Sequence, residues 1–548
     1  MQSMIYKLFI FASLLSFQCP AFSQLRSFED IRNIAQHHYQ ESCAVPDLTR
    51  AEMSFDIIPS SYLISLDSNI EIFYLCNTSQ SGFVIVSADE RMPEILGYSD
   101  TTYDPDKALP DGLLYVLKSY RQFGKSQIPF ATRAQNEVSP LLTTSWDQSN
   151  PYNQMCPLDG NTHSLTGCVA TAAAQIMKYY EWPAKSGNGT INYTTETKKL
   201  KVNIDLNNTT FAWNMMKDAY VGNQFSQWEA TAVSRLMYAV GASCLMDYSK
   251  DESGTTLVEC ARGMNQYFGY DKDLCMLISN YVPTAMWHEI LIKELNESRP
   301  VLFSGNSSGK NVGHAFVLDG YQQKNGSIYY HVNWGWSGSC NGYYLLNNLK
   351  PSQDGKDVGM GTFNDMQMML LNFQPEDHQE NALYCMVEGE TISKSYFPSG
   401  EPVSLTLSYE NLACFLCRDF SGVICLDLYD ETGRFVKTLN QQKMNIPLGM
   451  FMENGSITVS DISIKDGKYT LRLSLKETDG RIIETIFHNS LPVLQIGGVQ
   501  EDAIMDINSD CQSKSVFDIK GQIKQSADNQ QLSAGFYIID GKKVLIRE

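Results

Sequence analysis

Residues 164–180, Ser164-Leu165-Thr166-Gly167-Cys168-Val169-Ala170-Thr171-Ala172-Ala173-Ala174-Gln175-Ile176-Met177-Lys178-Tyr179-Tyr180, decide how the rest of the chain is read. Thr166 and Gly167 suit a turn, and Cys168 then opens an alanine-rich run of strong helix propensity. Val169, Ala172, Ala173, Ile176 and Tyr180 recur at helical spacing, so the helix is expected to lie in a core. A thiol at a helix N-terminus meets the positive end of the macrodipole and unpaired backbone N–H groups. That setting favours the thiolate, the nucleophilic form, and offers donors to an oxyanion. The competing reading is a buried structural cysteine, the commoner fate of an unpaired thiol.

Around this helix, residues 134–374 read as one unit. It begins with the loop-like Trp146-Asp147-Gln148-Ser149-Asn150-Pro151-Tyr152-Asn153 and continues with helices over Trp228 to Ala242 and Trp287 to Leu295. After Pro300 the pattern turns strand-like, over Val301 to Ser304, His314 to Leu318, Tyr329 to Trp334 and Tyr343 to Leu346. Helices first and antiparallel strands second is an α+β arrangement. His314 opens an apolar strand, where a lone histidine is more often a hydrogen-bonded core residue than a catalyst. Trp334 and Trp336 around Gly335 are either core filler or walls for an imidazole, with Asn333 available as a hydrogen-bonding group. Taken jointly, a cysteine at a helix start, a distant histidine on a strand and a later Asn/Trp element are the parts of a cysteine hydrolase.

The flanks fit an exported, multidomain protein. At 548 residues the chain exceeds a single core. Its formal net charge of −19 argues against nucleic acid or an anionic membrane as partner. Residues 1–23 read as a secretory signal: Lys7, an apolar run from Leu8 to Phe17, then Ala21-Phe22-Ser23. Once Cys19 leaves with that signal the cysteine count is odd, which permits one unpaired thiol. Cys414-x-x-Cys417 lacks a second pair or nearby histidines, so it makes a weak case for zinc or redox chemistry. Residues 24–133 form a first unit, with a helix from Ser27 to Gln40, strands over Ile70 to Leu75 and Phe83 to Val86, and a helix from Leu113 to Phe123. A polar linker follows from Ala131 to Glu137. Residues 385–497 show alternating strands and turn signals such as Asp430-Glu431-Thr432-Gly433, which read as an immunoglobulin-like β-sandwich acting as a spacer or binding module.

The motifs Gln148-x-Asn150-Pro151-Tyr152-Asn153, Thr166-Gly167-Cys168-Val169-Ala170-Thr171-Ala172 with Gln175-Ile176-Met177-Lys178-Tyr179, Gly313-His314-Ala315-Phe316-Val317-x-Asp319-Gly320 and His331-Val332-Asn333-Trp334-Gly335-Trp336 are similar, in order, to the streptopain and interpain family of papain-like cysteine peptidases. The resemblance implies an α+β papain-like domain, and no metal or cofactor. Cys168 would be the nucleophile, His314 the general base and acid, and Gln148 an oxyanion-hole donor. Trp334 would pack over the histidine, with Asn333 supporting. Gly313, Ser253, Gly254 and Trp336 would line the substrate, and Gly355, Gly359 and Gly361 a mobile loop beside the cleft. Gly82 to Ser99 resembles the family's pro-segment, so residues 24–133 would be an intramolecular inhibitor; the segment joining it to Gln148 is shorter than the family's, and expected exposure and charge point to cleavage near Arg133. The family's small Ser/Gly-rich substrate wall is here Asp251-Glu252-Ser253-Gly254-Thr255, a departure that bears on bulky or basic side chains.

Residues 498–548 end in Gly535-Phe536-Tyr537-Ile538-Ile539-Asp540-Gly541-Lys542-Lys543-Val544, which resembles a type IX secretion sorting domain. The alternative is one more hairpin of the sandwich. The expected protein is a secreted or surface endopeptidase made as a zymogen. Its partners would be protein or peptide substrates of a host or the environment, its own pro-domain and the outer-membrane secretion machinery, with a role in virulence. The rival reading is a catalytically silent surface protein that binds through its sandwich.

Overall fold

The computed structural model describes residues 25–42, 54–64, 71–78, 82–90, 92–120, 137–222, 224–306, 313–346, 367–377, 380–487, 491–498, 516–518, 535–539 and 542–546. The signal sequence, Arg133 and the glycines at 355, 359 and 361 lie outside the described residues. Helix α1 (Phe28–Ser42) starts on a reciprocal cap, in which Ser27 Oγ accepts from the Asp30 N–H and the Asp30 carboxylate accepts from the Ser27 N–H, each at 3.1 Å. Its Ile31, Ala35 and Tyr39, one face at i, i+4 and i+8, are buried. Strands β1 (Asp56–Pro59), β2 (Phe73–Asn77), β3 (Phe83–Ser87) and β4 (Ile95–Ser99) form an antiparallel meander, followed by α2 (Asp111–Ser119).

The next unit carries α3 (Cys168–Tyr180), α4 (Gln227–Ser243), α5 (Leu257–Phe268), β5 (Cys275–Ile278), α6 (Thr284–Asn296), β6 (Val301–Asn306), β7 (Gly313–Lys324), β8 (Ser327–Asn333), β9 (Gly342–Leu345) and β10 (Gln367–Leu371). All the helices and strands expected here are present. Helix α5 was not among them, although its signals are local: Thr256 Oγ1 accepts from the Glu259 N–H at 3.2 Å, and Gly269 at φ 65° ends it.

The two units share one sheet of order β1-β2-β3-β4-β9-β8-β7-β6-β10-β5, antiparallel at every pairing. They join where Tyr98 pairs with Tyr343 and Gly97 with Tyr344. A Cβ on Gly97 would lie 2.4 Å from the Tyr344 ring, so only glycine admits this close approach. On β6 and β7, Phe303, Phe316 and Leu318 enter one core with Trp287 and Trp334. The alternate residues Leu302, Ala315 and Val317 enter a second core with α3, α4 and α5. Burial on both faces explains why these strands read as continuous apolar runs.

The third unit contains β11 (Tyr384–Glu388), β12 (Val403–Cys414), β13 (Phe420–Asp430), β14 (Phe435–Ile446), β15 (Phe451–Ile462), β16 (Gly467–Glu477) and β17 (Ile482–Phe487), part of a ten-stranded group with its own apolar core. It docks onto the edge strand β5: the Met276 N–H donates to the Phe415 carbonyl at 2.8 Å and the Cys417 N–H to the Leu274 carbonyl at 3.0 Å. Burial pushes the Cys414 thiol up to about 11 and the Cys417 thiol up to about 12, which suits structural rather than reactive cysteines. At this seam the fully buried Asp273 accepts from Arg481 Nη1 at 2.6 Å, while Arg418 lies 3.7 Å from its other oxygen and forks onto Glu477 at 2.6 and 3.0 Å. Asp273→Ala strands the buried Arg481 charge and is expected to cost about 3 kcal/mol or more. A thermal midpoint that does not move in this variant would show that the pair contributes nothing.

The last described strands, Val516–Asp518, Gly535–Ile539 and Lys542–Ile546, form a separate three-stranded antiparallel sheet and are not a hairpin of the sandwich.

Candidate active site

Gly167 caps α3 at φ 87°, a conformation that favours glycine. A Cβ at that position would lie 2.6 Å from the Met246 sulfur and 3.0 Å from the Ser253 carbonyl oxygen. The chain therefore turns sharply, and Cys168 becomes the first residue of a helix buried from Val169 to Met177. Its small side chains let α4 and the sheet close in on both sides.

Cys168 is half-buried at the mouth of α3. Burial alone would push its thiol up. A hydrogen bond with His314, the charge of that imidazole and the backbone amides of Ala315 and Val169 outweigh burial and hold the thiol below its usual range. His314 is buried at the start of β7, and its Nε2 lies 3.3 Å from the Trp334 carbonyl oxygen. A carbonyl only accepts, so Nε2 carries the proton and Nδ1 is the nitrogen able to exchange one with sulfur. Trp334 is fully buried: its Nε1 donates to the Cys340 carbonyl at 2.9 Å, and its N–H donates to Asn341 Oδ1 at 3.0 Å. The Trp336 ring stands edge-on to the imidazole, centroids 6.4 Å apart.

The loop of Gln148 is tied to the same mouth, because the Thr166 N–H donates to the Gln148 carbonyl at 3.1 Å. Asp147 holds the loop's shape, accepting from the N–H of Ser149 at 3.1 Å and from Ser337 Oγ at 2.8 Å. Asn333 points elsewhere. Its amide donates to the Thr144 carbonyl at 2.7 Å and pairs with Gln175, while its Oδ1 accepts from the Gly335 N–H at 3.1 Å. The imidazole donates instead to the backbone carbonyl of the neighbouring Trp334. Ser253 is buried beside Gly167, its hydroxyl donating to the Ser249 carbonyl at 3.0 Å, and Gly254 faces open space. Gly313 is exposed, next to His314.

Three residues at the site were assigned no role from the sequence. Asp147 and Gln175 tie the loops together. Gly112 of α2 presses on the site itself: a Cβ there would lie 2.6 Å from the Trp334 ring and 2.9 Å from His314 Cδ2. The first unit thus reaches the imidazole directly. Gln175 on a buried helix rich in alanine is a readable signal, whereas the contact of Gly112 depends on tertiary packing.

Comparison with known proteins bears on the family. Residues 146–344 match the peptidase C10 family and residues 32–123 the Spi protease inhibitor family. Streptopain of Streptococcus pyogenes is 34% identical over 328 residues, which cover 55% of this chain and 80% of that protein. The thiol protease/hemagglutinin PrtT of Porphyromonas gingivalis is 29% identical over 439 residues, 75% of this chain and 49% of that protein. A solved fragment of Prevotella intermedia prointerpain A is 30% identical with a TM-score of 0.50, covering 59% of this chain and all of the fragment. With an inhibitor-like segment ahead of its α+β catalytic unit, the chain belongs to the peptidase C10 family, cysteine-type hydrolases of peptide bonds.

Proposed function

We propose that the chain is a zymogen of a secreted cysteine endopeptidase working through Cys168 and His314. The observation that carries this reading is the hydrogen bond between the Cys168 thiol and the His314 imidazole at a helix N-terminus, an arrangement that favours the thiolate. In the proposed mechanism the Cys168 thiolate attacks a peptide carbonyl and forms an acyl-enzyme. His314 first gives its proton to the leaving amine, then draws one from the hydrolytic water. The Gln148 side chain and the Cys168 N–H receive the oxyanion. Trp334 holds the imidazole through its carbonyl, Asn333 supports the turn behind it, and Gly313, Ser253, Gly254 and Trp336 border the substrate. Gln148→Ala is expected to lower kcat by about 10²-fold or more with the thiol still reactive. A variant with undiminished kcat would remove Gln148 from the mechanism.

Residues 24–133 are the inhibitory pro-domain in this reading, 134–374 the peptidase, 385–497 the sandwich and 498–548 a sorting domain for type IX export after a signal at 1–23. The separate C-terminal sheet supports the last assignment, since it does not continue the sandwich. Mass spectrometry of the cell-free protein tests all the boundaries at once, and a secreted species retaining residues 498–548 would count against the sorting role. The decisive assay is labelling of Cys168 by an alkylating inhibitor together with casein cleavage. Processed protein that did neither would return the chain to a silent, surface-binding role.

A further inference from the structure

Gln175 lies two turns along α3 from Cys168 and is fully buried, on a helix whose buried face is otherwise mostly alanine, valine and isoleucine. An amide in such a place is costly unless its groups are paired. Its partners come from two other parts of the chain. Oε1 accepts from Thr144 Oγ1 at 3.0 Å and from the Trp146 N–H at 3.2 Å. The amide also meets that of Asn333 head to head: Gln175 Nε2 donates to Asn333 Oδ1 at 3.3 Å, and Asn333 Nδ2 donates back to Oε1 at 3.2 Å.

Each partner leads directly to a working group. Two residues after Trp146 comes Gln148. One residue after Asn333 comes Trp334, whose carbonyl faces His314 Nε2 at 3.3 Å. Nucleophile, oxyanion loop and imidazole support therefore arrive on three separate segments, and a single buried amide bonds to the two loops from the helix that bears the third. We propose that Gln175 is the positioning residue that sets these three segments in register for the Cys168–His314 chemistry on which this inference rests. Catalysis is sensitive to this register, since a misplacement of about 1 Å can cost on the order of 10²-fold in rate. An apolar side chain of the same length would fill the space but leave the Trp146 N–H without its partner and Asn333 tied to the other loop only through the Thr144 carbonyl, so both loops would be held less firmly relative to α3.

The test uses the full chain, self-processed, with Gln175→Met, Gln148→Ala and the double variant. Gln175→Met is expected to lower kcat about 100-fold with KM changed by no more than about twofold. It is also expected to raise the pH midpoint of Cys168 alkylation, because the imidazole is held less firmly beside the sulfur. Much of the loss should be absent in the Gln148→Ala background, since the two changes disturb one loop. If Gln175→Met fails to fold, Thr144→Val removes one of the bonds and is expected to lower kcat about threefold with KM unchanged. A folded Gln175→Met enzyme with wild-type kcat and alkylation profile would overturn the proposal, as would effects of Gln175→Met and Gln148→Ala that simply multiply, or a Thr144→Val enzyme of undiminished kcat. A wild-type protein that neither labels nor cleaves would instead sink the peptidase mechanism itself.

Discussion

Cys168→Ala is expected to abolish peptide hydrolysis, with a loss on the order of 10⁵-fold or more, since removing a covalent nucleophile also idles its base. Self-processing should stop with it, so the variant should accumulate at zymogen mass. Mature protein appearing from that variant alone would show that another peptidase makes the cut. The same thiol predicts a pH profile. His314 and the backbone amides favour the charged form of Cys168, so its folded pKa lies below the ordinary value. Thiolate, and with it alkylation, should therefore be present above that lowered value and fade as pH falls through it. A labelling midpoint at or above the ordinary thiol value of about 8.5 would contradict the geometry.

Gly112→Leu is expected to act in the opposite direction, releasing activity rather than removing it. The glycine of α2 has no room for even a methyl group between Trp334 and His314. A branched side chain must push the first unit off the site or deform the site, and overpacking of this kind costs about 1–3 kcal/mol. By that measure the docking equilibrium shifts by roughly 5- to 150-fold. The unprocessed variant should therefore convert to mature enzyme faster than wild type, and Cys168 should alkylate faster within it. A zymogen of unchanged latency would mean that α2 merely rests near the imidazole. Adding the separate segment 24–133 to the mature enzyme makes the complementary measurement, since an inhibitor acts in trans and a bystander does not.

Local patterns made much of this legible. The turn at Gly167, the alanine-rich helix and the apolar strand behind His314 each follow from propensity and periodicity within a dozen residues, and all appear where expected. Pairing between distant segments was not legible. Tyr98 against Tyr343, or Met276 against Phe415, joins stretches whose own patterns say only that each is extended. Asn333 shows the same limit at the site. Whether the Asn333 side chain or the Trp334 carbonyl meets the imidazole depends on the register of β8 against β7, which no local pattern gives. Gly112 is the extreme case, because a missing side chain leaves no pattern at all.

The sheet that runs unbroken from β1 to β5 has one further consequence. Cutting the linker severs a covalent bond but leaves the hydrogen bonds between β4 and β9 intact. Proteolysis alone would yield a nicked complex still zipped together, and liberation would require peeling or digesting the inhibitor. Once bare, β9 presents unsatisfied main-chain donors and acceptors to the solvent, a sticky rim that would welcome the discarded strand back.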